Sequence, residues 1–404
     1  MKIIRLFLVL IIAGSISSCK KSETISETGP DPQIQAALQT MVDTLMKEYK
    51  EKYPNSPDGI ALKVISRKGS FFVTSGLGIG INDQIHFRAA SNTKSFTSTA
   101  ILLLAQQSRL HVDAKISDTI PGTSMTYVPL TADYQIPFRD QITIRQLLQH
   151  KAGVFDIINN PIPDTVSEPV PYKGQDYVSY IKAIDSLHTF TFDGMVGVVA
   201  TCHLFDFPPG ESYHYSNTGY NILGKIIERV SGQSYQQFVM EKIVQPMGLS
   251  QTTFPCLGTD ITIPPPFVRG YEYRPTGIID VTESNLSCNV AEGNVITTPY
   301  DLSKFLRNLI RGEGVLKQVT VNGIMLPVPP ATYGCGLYYS LNLGFGHNGS
   351  QLGFLSRMVT DPEVDFTAVT FLNCRNTSDG NTSISYQLSF LMEEACYRAK
   401  SIVQ

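Results

Sequence analysis

Hydrophobic residues early in the chain predict one helix followed by one hairpin. In residues 34–52 the apolar positions recur at the spacing of one helix face, at Ile34, Leu38, Met41, Leu45 and Tyr49. Residues 60–66 and 70–77 are rich in β-branched and aromatic side chains, and the turn Arg67-Lys68-Gly69 lies between them. Two such runs joined by a short turn that contains glycine are typical of a β-hairpin.

The strand pattern returns near the C-terminus. Four runs beyond residue 330 have the composition of strands, at residues 334–341, 343–349, 354–360 and 366–372. A closing helix is predicted at about residues 384–399. We expect these strands and the early hairpin to form one antiparallel, five-stranded sheet flanked by helices, an α/β (α+β) fold. Because strands are predicted to reappear only after residue 330, the middle of the chain is expected to be a mainly helical insertion.

Length and charge narrow the possible functions. The chain has 404 residues, a hydrophobic fraction of 42% and a net charge of −3 from 32 basic and 35 acidic residues. That length is enough for two or three domains or one large unit with an extensive core. A protein that neutralises phosphates needs a basic face, and the longest basic block here is the pair Lys20-Lys21. Nucleic acid is therefore not expected as a partner.

The N-terminal residues have the pattern of an export signal. Lys2 and Arg5 precede an apolar run over residues 6–13 that is too short to span a bilayer. Small residues then lead into Cys19, and this segment resembles a bacterial lipobox. The resemblance implies cleavage before Cys19, lipidation of Cys19 and membrane attachment through the lipid anchor. Lys20, in place of an acidic residue, favours the outer membrane of the cell envelope. The alternative is an ordinary signal peptide with a chance cysteine.

Six cysteines remain beyond Cys19, at positions 202, 256, 288, 335, 374 and 396. An even number in an oxidising compartment permits disulfides, but six cysteines allow 15 pairings and the sequence does not choose among them. The pair Cys202-His203 has no second pair at ligand spacing, so a zinc site is not expected.

Ser91 and Lys94 are the first candidates for catalytic chemistry. They precede the apolar stretch 100–104, and side chains three residues apart share one face of a helix, so hydroxyl and amine would meet. The same Ser-x-x-Lys spacing also occurs at Ser179 and Lys182, which makes one match weak. The order of later motifs distinguishes Ser91, because Tyr215-Ser216-Asn217 and then His347-Asn348-Gly349 follow it.

This ordered set resembles the serine β-lactamase and penicillin-binding protein family, whose motifs are Ser-x-x-Lys, Tyr-x-Asn and Lys/His-x-Gly. The resemblance extends over roughly residues 55–400 and is greatest to the branch with class C β-lactamases and D-alanyl-D-alanine carboxypeptidases. We expect a signal peptide at residues 1–18, a tether at 19–35 and one domain at 36–402. Within that domain we expect an α/β lobe at about 36–110 and 290–402, with a helical lobe at about 111–289 inserted between its two parts.

The resemblance implies a role for each motif residue. Catalytic residues would be Ser91 as nucleophile with Lys94 and Tyr215 in proton transfer, and substrate-binding residues would be Asn217, His347, Gly349 and Ser350. The backbone N–H groups of Ser91 and Ser350 would form the oxyanion hole. Lys94 could be the base if its pKa falls toward 7; if it stays charged, Tyr215 could take the proton instead. No cofactor or metal is implied.

Two departures from the family pattern bear on the substrate. Position 347 is histidine where many β-lactamases have lysine, which weakens a fixed cation for a carboxylate and could make activity depend on pH. Ala291-Glu292-Gly293-Asn294 replaces the usual Gly-Gly pair at the cleft edge. His150 and His214 flank motifs and are expected to be structural.

These observations predict a lipid-anchored serine acyl hydrolase of the bacterial envelope that acts on an acyl-D-amino acid, a β-lactam or an ester. A D-Ala-D-Ala carboxypeptidase, peptidase or esterase is favoured. The alternatives are a class C-like β-lactamase and a catalytically inactive lipoprotein that keeps the fold as a binding module.

Overall fold

The computed structural model describes residues 30–53 and 58–404. The predicted signal peptide and the lipidation site Cys19 lie outside the described residues, as does most of the tether. Of the helices within the described ranges, none combines the length and the apolar character needed to cross a membrane. Anchoring and the domain boundaries given above stay predictions.

The described residues form strands and helices in alternating groups along the chain. The strands are β1 (Ile60–Ser66), β2 (Gly69–Ser75), β3 (Phe87–Ala90), β4 (Tyr271–Arg274), β5 (Gly277–Asp280), β6 (Val295–Thr297), β7 (Tyr338–Ser340), β8 (Gly344–Gln351), β9 (Phe354–Asp361), β10 (Phe366–Leu372) and β11 (Cys374–Asn376). The helices are α1 (Pro32–Lys52), α2 (Thr93–Gln106), α3 (Ile144–Leu148), α4 (Tyr177–Ile184), α5 (Phe192–Thr201), α6 (Asn217–Ser231), α7 (Tyr235–Val239), α8 (Pro299–Ile310), α9 (Gln318–Thr320) and α10 (Ser383–Val403). Short 3₁₀ and π-helical turns occur at Ala132–Tyr134, Met240–Val244, Ser287–Asn289 and Val321–Met325.

Both ends of the described chain contribute to one antiparallel sheet, in the order β2-β1-β10-β9-β8-β7. The N-terminal hairpin joins the C-terminal strands through β1 and β10, where Leu62 pairs with Thr370. The expected antiparallel sheet with the middle of the chain inserted is confirmed. The sheet has six strands rather than the expected five, because the two hairpin strands and each of the four C-terminal runs contribute one, with β7, from the run 334–341, at the edge beside β8.

The middle of the chain also contains strands, so the prediction that strands reappear only after residue 330 is wrong. β3 pairs with β6 in a two-stranded sheet, and β4 lies between β5 and β11 in a three-stranded sheet. Each of these strands has three or four residues. A run that short shows too few alternations to be recognised from hydrophobic pattern.

The two faces of the main sheet pack against different helices. In β1, Ile60, Leu62 and Val64 join a core with α1 and α10, whereas Ala61 faces the larger core that contains α2. This division follows from the two-residue period of a strand. The start of α1 is fixed by Asp31, whose side chain accepts a hydrogen bond from the Gln33 N–H. The sheet thus has α1 and α10 on one side and the buried helix α2 on the other.

All six cysteines in the described part of the chain are free thiols, and none of the 15 possible disulfides is formed. Five of them are buried, and Cys256 is partly buried.

Candidate active site

Ser91 lies in the turn between β3 and α2. Ala90, directly before it, has a φ of +50°, a left-handed conformation that costs energy for a residue with a Cβ. The turn is held by Asn92, whose Nδ2 donates to the Ala89 carbonyl at 2.7 Å and to Ser356 Oγ at 2.8 Å. Ser91 itself is half-buried. The sharp turn therefore presents the serine hydroxyl at the end of a buried helix.

Lys94, one turn further along, is completely buried. Its Nζ lies 3.2 Å from Ser91 Oγ, 2.6 Å from Asn217 Oδ1, 2.9 Å from the Glu292 carbonyl and 3.1 Å from Glu292 Oε2. Burial lowers the pKa of Lys94, and the Glu292 carboxylate opposes this shift. The structure thus brings together the serine and lysine that the sequence predicted.

Asn217, at the first position of α6, is oriented by a residue that sequence reasoning missed. Its Nδ2 donates to Asp156 Oδ2 at 3.1 Å, while its Oδ1 accepts from Lys94. Asp156 is 1% exposed, and burial raises the pKa of its carboxyl group. Both the oxygen and the nitrogen of the Asn217 side-chain amide are therefore hydrogen-bonded to other side chains of the protein.

Tyr215 packs its ring between a histidine and the lysine. The ring centroids of Tyr215 and His150 are 4.2 Å apart, and Lys94 Nζ lies 4.7 Å from the Tyr215 ring centroid. Burial raises the pKa of Tyr215 well above its ordinary value, and the neighbouring Ser91 hydroxyl opposes that shift. At neutral pH Tyr215 is therefore a phenol.

His150 packs beside this ring, with its Nε2 buried and without a hydrogen-bond partner among the described residues. Its Nδ1 accepts a hydrogen bond from the Ser216 N–H at 3.1 Å. Burial lowers the pKa of His150 well below its ordinary value, and the charge of Lys94 adds to the effect. His214 lies further out and contacts Asp206 at 2.5 Å.

The third motif lies on β8, where His347 is buried and neutral. Its Nδ1 lies 2.6 Å from the Asn348 carbonyl, so Nδ1 carries the proton and donates. Its Nε2 then accepts from the hydroxyl of Tyr333 at 2.9 Å. Burial lowers the pKa of His347 to about 3, and the nearby charge of Lys94 contributes. The pH dependence near neutrality that the sequence left open for His347 is therefore not expected from its own titration.

Gly349 brings β8 against the strand that precedes the serine. A Cβ at this position would overlap the Ala89 carbonyl oxygen and Ser356 Oγ and would lie 3.0 Å from the Ala90 Cβ. Ser350, the next residue, is exposed and pairs with Leu355 of β9. Glycine is required at position 349 because only a residue without a side chain permits this approach.

The register leaves part of the β8 edge uncovered. Tyr338–Ser340 of β7 pair only with Gly344–Gly346, whereas β9 pairs with β8 from Phe345 to Gln351. Within the described residues, β8 from His347 onward has a partner strand on one side only. The free side is the place where an extended substrate could bind.

Residues 57–389 match the family described as Beta-lactamase. The chain belongs to the Beta-lactamase family. Members of this family are serine hydrolases. The expected family and its β-lactamase/transpeptidase-like fold are therefore confirmed.

Solved structures of amide-hydrolysing enzymes are similar to this member of the Beta-lactamase family. A D-stereospecific amidohydrolase from Streptomyces sp. is 25% identical, with a TM-score of 0.67 over 84% of this chain and 94% of that chain. The D-amino acid amidase from Ochrobactrum anthropi SV3, in complex with L-phenylalanine amide, is 24% identical, with a TM-score of 0.69 over 92% of this chain and 98% of that chain. The second similarity concerns the fold alone.

Among curated relatives, Protein flp of Staphylococcus aureus strain MW2 is 28% identical over 225 residues. The match covers 54% of this chain and 38% of the relative. It therefore spans well under half the length of that relative.

The segment Ala291-Glu292-Gly293-Asn294, which departs from the usual Gly-Gly pair of the family, places a carboxylate in the site. Glu292 is 2% exposed and contacts Lys94, and its Oε1 accepts from Asn289 Nδ2 at 2.6 Å. The sequence showed the departure at this position but not the contact.

In the part of the chain that the structure describes, no group of three or more His, Cys, Asp or Glu side chains is arranged to hold a metal ion.

The predicted site residues thus form two neighbouring groups. Ser91, Lys94, Tyr215 and Asn217 lie around the start of α2. The third motif approaches from β8: the His347 and Tyr215 ring centroids are 6.3 Å apart, and Gly349 contacts the residues before Ser91. Two residues of the site, Asp156 and Tyr333, were not predicted from the sequence. The contact between Glu292 and Lys94 was not predicted either. No spacing rule in the sequence connects them to the motifs.

Proposed function

We propose that this protein is a serine acyl hydrolase that forms an acyl-enzyme on Ser91 and cleaves amides or esters whose leaving group carries no carboxylate. The observation that carries the first part is the position of Ser91 Oγ, 3.2 Å from the buried amine of Lys94 at the start of α2. A serine hydroxyl needs such a base within hydrogen-bond reach to act as a nucleophile.

The directions of the pKa shifts favour Lys94 as the group that accepts the proton. Burial lowers the pKa of Lys94 and raises that of Tyr215, so burial favours an amine and a phenol. In the proposed acylation, Ser91 Oγ bonds to the substrate carbonyl carbon while its proton moves to Lys94 Nζ. The bond to the leaving group then breaks, and the leaving group takes a proton from Lys94 through the Tyr215 hydroxyl. Water reverses these steps in deacylation.

The developing oxyanion needs donors that are already in place. We propose the backbone N–H groups of Ser91 and Ser350 for this role, because Gly349 brings β8 against the strand that precedes Ser91. For Asn217 we propose a positioning role toward Lys94, since both ends of its amide are bonded within the protein. A direct bond from Asn217 to substrate stays a prediction.

The substrate class follows from the charges beside β8. His347 is neutral and both of its nitrogens are bonded, so it offers no cation. The cation beside Ser91 is Lys94, which is already paired with Glu292 at 3.1 Å. Arg357 of β9 points instead toward α10, where it pairs with Glu393 at 3.1 Å. A buried carboxylate without a partner cation costs several kcal/mol. Uncharged amides and esters therefore fit this site better than D-Ala-D-Ala peptides or β-lactams, which carry a carboxylate.

A pair of substrates that differ only in that charge tests the proposal. N-acetyl-D-Ala-D-alaninamide and N-acetyl-D-Ala-D-Ala share the same scissile bond, and we expect kcat/KM for the alaninamide to be at least about tenfold higher. p-Nitrophenyl acetate and nitrocefin extend the panel to an ester and a β-lactam. Ser91→Ala is the control and should lose all of these activities. A preference for the free carboxylate, or turnover that survives in Ser91→Ala, would contradict the proposal.

We also propose that the protein is exported and anchored through Cys19, on the strength of its N-terminal sequence. The test compares membrane partitioning of the full chain with that of Cys19→Ala. The variant should be found in the aqueous fraction; equal partitioning would contradict the anchor.

A further inference from the structure

Glu292 reaches the catalytic lysine from a separate segment, between the turn Ser287–Asn289 and β6. Its neighbour Ala291 has a φ of +70°, a left-handed conformation that is uncommon for alanine. Glu292 is 2% exposed and its Oε2 lies 3.1 Å from Lys94 Nζ. A strained backbone that directs a buried carboxylate at a buried amine indicates a role beyond packing.

The hydrogen bonds around Lys94 exceed what its nitrogen can satisfy at one time. Besides its bond to Cε, Nζ has three positions for hydrogen atoms or a lone pair, and four oxygens surround it. The two shortest contacts go to acceptors that cannot donate: Asn217 Oδ1 at 2.6 Å and the Glu292 carbonyl at 2.9 Å. Ser91 Oγ at 3.2 Å and Glu292 Oε2 at 3.1 Å therefore compete for the third position.

Other titratable and polar groups face Lys94 from every element packed around it. They are Ser91 and Tyr215, the ring of Tyr220 at 5.4 Å, Asp156 behind Asn217, and the neutral rings of His150 and His347. Asp156 and Glu292 are the two carboxylates named around Lys94, and only Glu292 contacts Nζ directly, because the Asn217 amide separates Asp156 from it.

We propose that Glu292 and Lys94 share one proton, and that Glu292 holds this proton while Lys94 accepts the proton of Ser91. The inference rests on the proposed function, because the exchange matters only if Ser91 is the nucleophile. In the resting pair this proton is divided between Lys94 Nζ and Glu292 Oε2. When it lies on Oε2, the lone pair of Nζ takes the Ser91 proton as Oγ attacks. After Lys94 has protonated the leaving group, the proton on Oε2 returns to Nζ.

Burial shifts the pKa values of Lys94 and Glu292 in the directions that favour this proton exchange. It lowers the pKa of Lys94 and raises that of Glu292, whereas the attraction between their charges opposes both shifts. Moving the proton inside the pair changes no net charge. Lys94 can thus become an amine without release of a proton to solvent, and Glu292 acts through Lys94 as a positioning residue.

The variant Glu292→Gln separates this role from a structural one. In the wild type either residue can give up the first proton of the doubly protonated pair, whereas in the variant only Lys94 can. The acid limb of the pH profile of kcat/KM should therefore move to higher pH, by about 0.3 unit if the proton is evenly divided and by more if it lies mainly on Nζ. Above the new limb the variant should be as fast as the wild type or faster. The matched control is Glu272→Gln, which removes a glutamate that is 1% exposed and bonded to Arg375 at 2.7 Å.

Each outcome of the kinetic test is decisive. An acid limb that moves up in Glu292→Gln and stays in place in Glu272→Gln supports the proposal. An equal loss of rate at all pH values would mean that Glu292 is structural, and loss confined to alkaline pH would mean that it keeps Lys94 charged. Either of these results would overturn the shared proton.

A second measurement uses the wild type and does not depend on turnover. In protein labelled with ¹³C and ¹⁵N at lysine, the Lys94 side-chain signals are assigned by comparison with Lys94→Arg. We expect chemical shifts between those of an ammonium and an amine, constant over the pH range in which the pair holds one proton. Shifts of a pure ammonium ion at pH 7 would overturn the proposal. If this signal is intermediate while Ser91 forms no adduct, the proposed function fails and the shared proton stands.

Discussion

Asp156 fixes the orientation of the Asn217 amide through one hydrogen bond. Asn217 Nδ2 donates to Asp156 Oδ2 at 3.1 Å, so the oxygen end of the amide must face Lys94, 2.6 Å away. A reversed amide would place an NH₂ group against the Lys94 amine. The buried carboxylate thus sets the polarity of a contact with the proposed base.

Replacing this carboxylate should slow catalysis more than it weakens substrate binding. In Asp156→Asn the new side chain can present either an oxygen or an NH₂ group, so the Asn217 amide loses its fixed orientation. We expect kcat to fall roughly tenfold or more, because small misplacements of a catalytic group are costly. Asp118→Asn, in a surface turn where Asp118 accepts from the Lys115 N–H, is the control. An unchanged kcat in Asp156→Asn would contradict this role.

Removal of the Tyr215 hydroxyl should slow catalysis and should change the stability of the fold little. Tyr215→Phe keeps the ring that packs on His150 but removes the proposed relay to the leaving group. We expect kcat/KM to fall roughly 10²- to 10⁴-fold with an unfolding midpoint close to that of the wild type. Tyr213→Phe removes a neighbouring phenol that is 48% exposed and should keep most of the activity. Equal losses in the two variants would show that the Tyr215 hydroxyl has no specific part.

The motifs could be predicted from the sequence because each is local. Ser91 and Lys94 are one helical turn apart, and Tyr215 and Asn217 lie at the start of α6, so short spacing places them correctly. The contacts that adjust these groups cross long distances in sequence. Glu292 lies 198 residues from Lys94, and Asp156 lies 61 residues from Asn217. Their role depends on burial and direction, which spacing does not encode.

The same distinction applies to the fold. The long runs that became β1, β8, β9 and β10 were predicted from composition and alternation. The short strands β3 and β6 were missed, although they pair directly beside Ser91. Their pairing is decided by tertiary contacts rather than by local pattern.

Gly349 should tolerate no side chain. In Gly349→Ala the new Cβ would overlap the Ala89 carbonyl and Ser356 Oγ, so β8 would have to move away from β3. We expect a loss of about 1–3 kcal/mol in the free energy of unfolding, together with a large loss of kcat/KM. Denaturant unfolding measures the first and the amide assay the second. The control Gly323→Ala meets no atom within 4 Å and should change neither; wild-type values for Gly349→Ala would refute the close approach.

Buried His347 should make the protein less stable in acid. Its folded pKa of about 3 lies below the ordinary value near 6.5, so between these pH values the unfolded chain binds a proton that the folded chain does not. Its contribution is therefore complete above about pH 6.5 and is lost as the pH falls toward 3.

Comparison with His347→Gln isolates this effect. Between pH 6 and 4 the free energy of unfolding of the wild type should fall more steeply, by up to about 1.4 kcal/mol per pH unit. The control is His111→Gln, which removes an exposed histidine. Parallel curves for the wild type and His347→Gln, measured by denaturant unfolding, would contradict a neutral buried imidazole.

The most direct test of the proposed chemistry is covalent capture of the nucleophile. The folded wild type is incubated with a fluorophosphonate probe, and intact mass and peptide mapping locate the adduct. We predict one probe per chain, on the peptide that contains Ser91, and no adduct on folded Ser91→Ala. An unlabelled wild type, or an adduct that persists in Ser91→Ala, would contradict the assignment of Ser91 as the nucleophile.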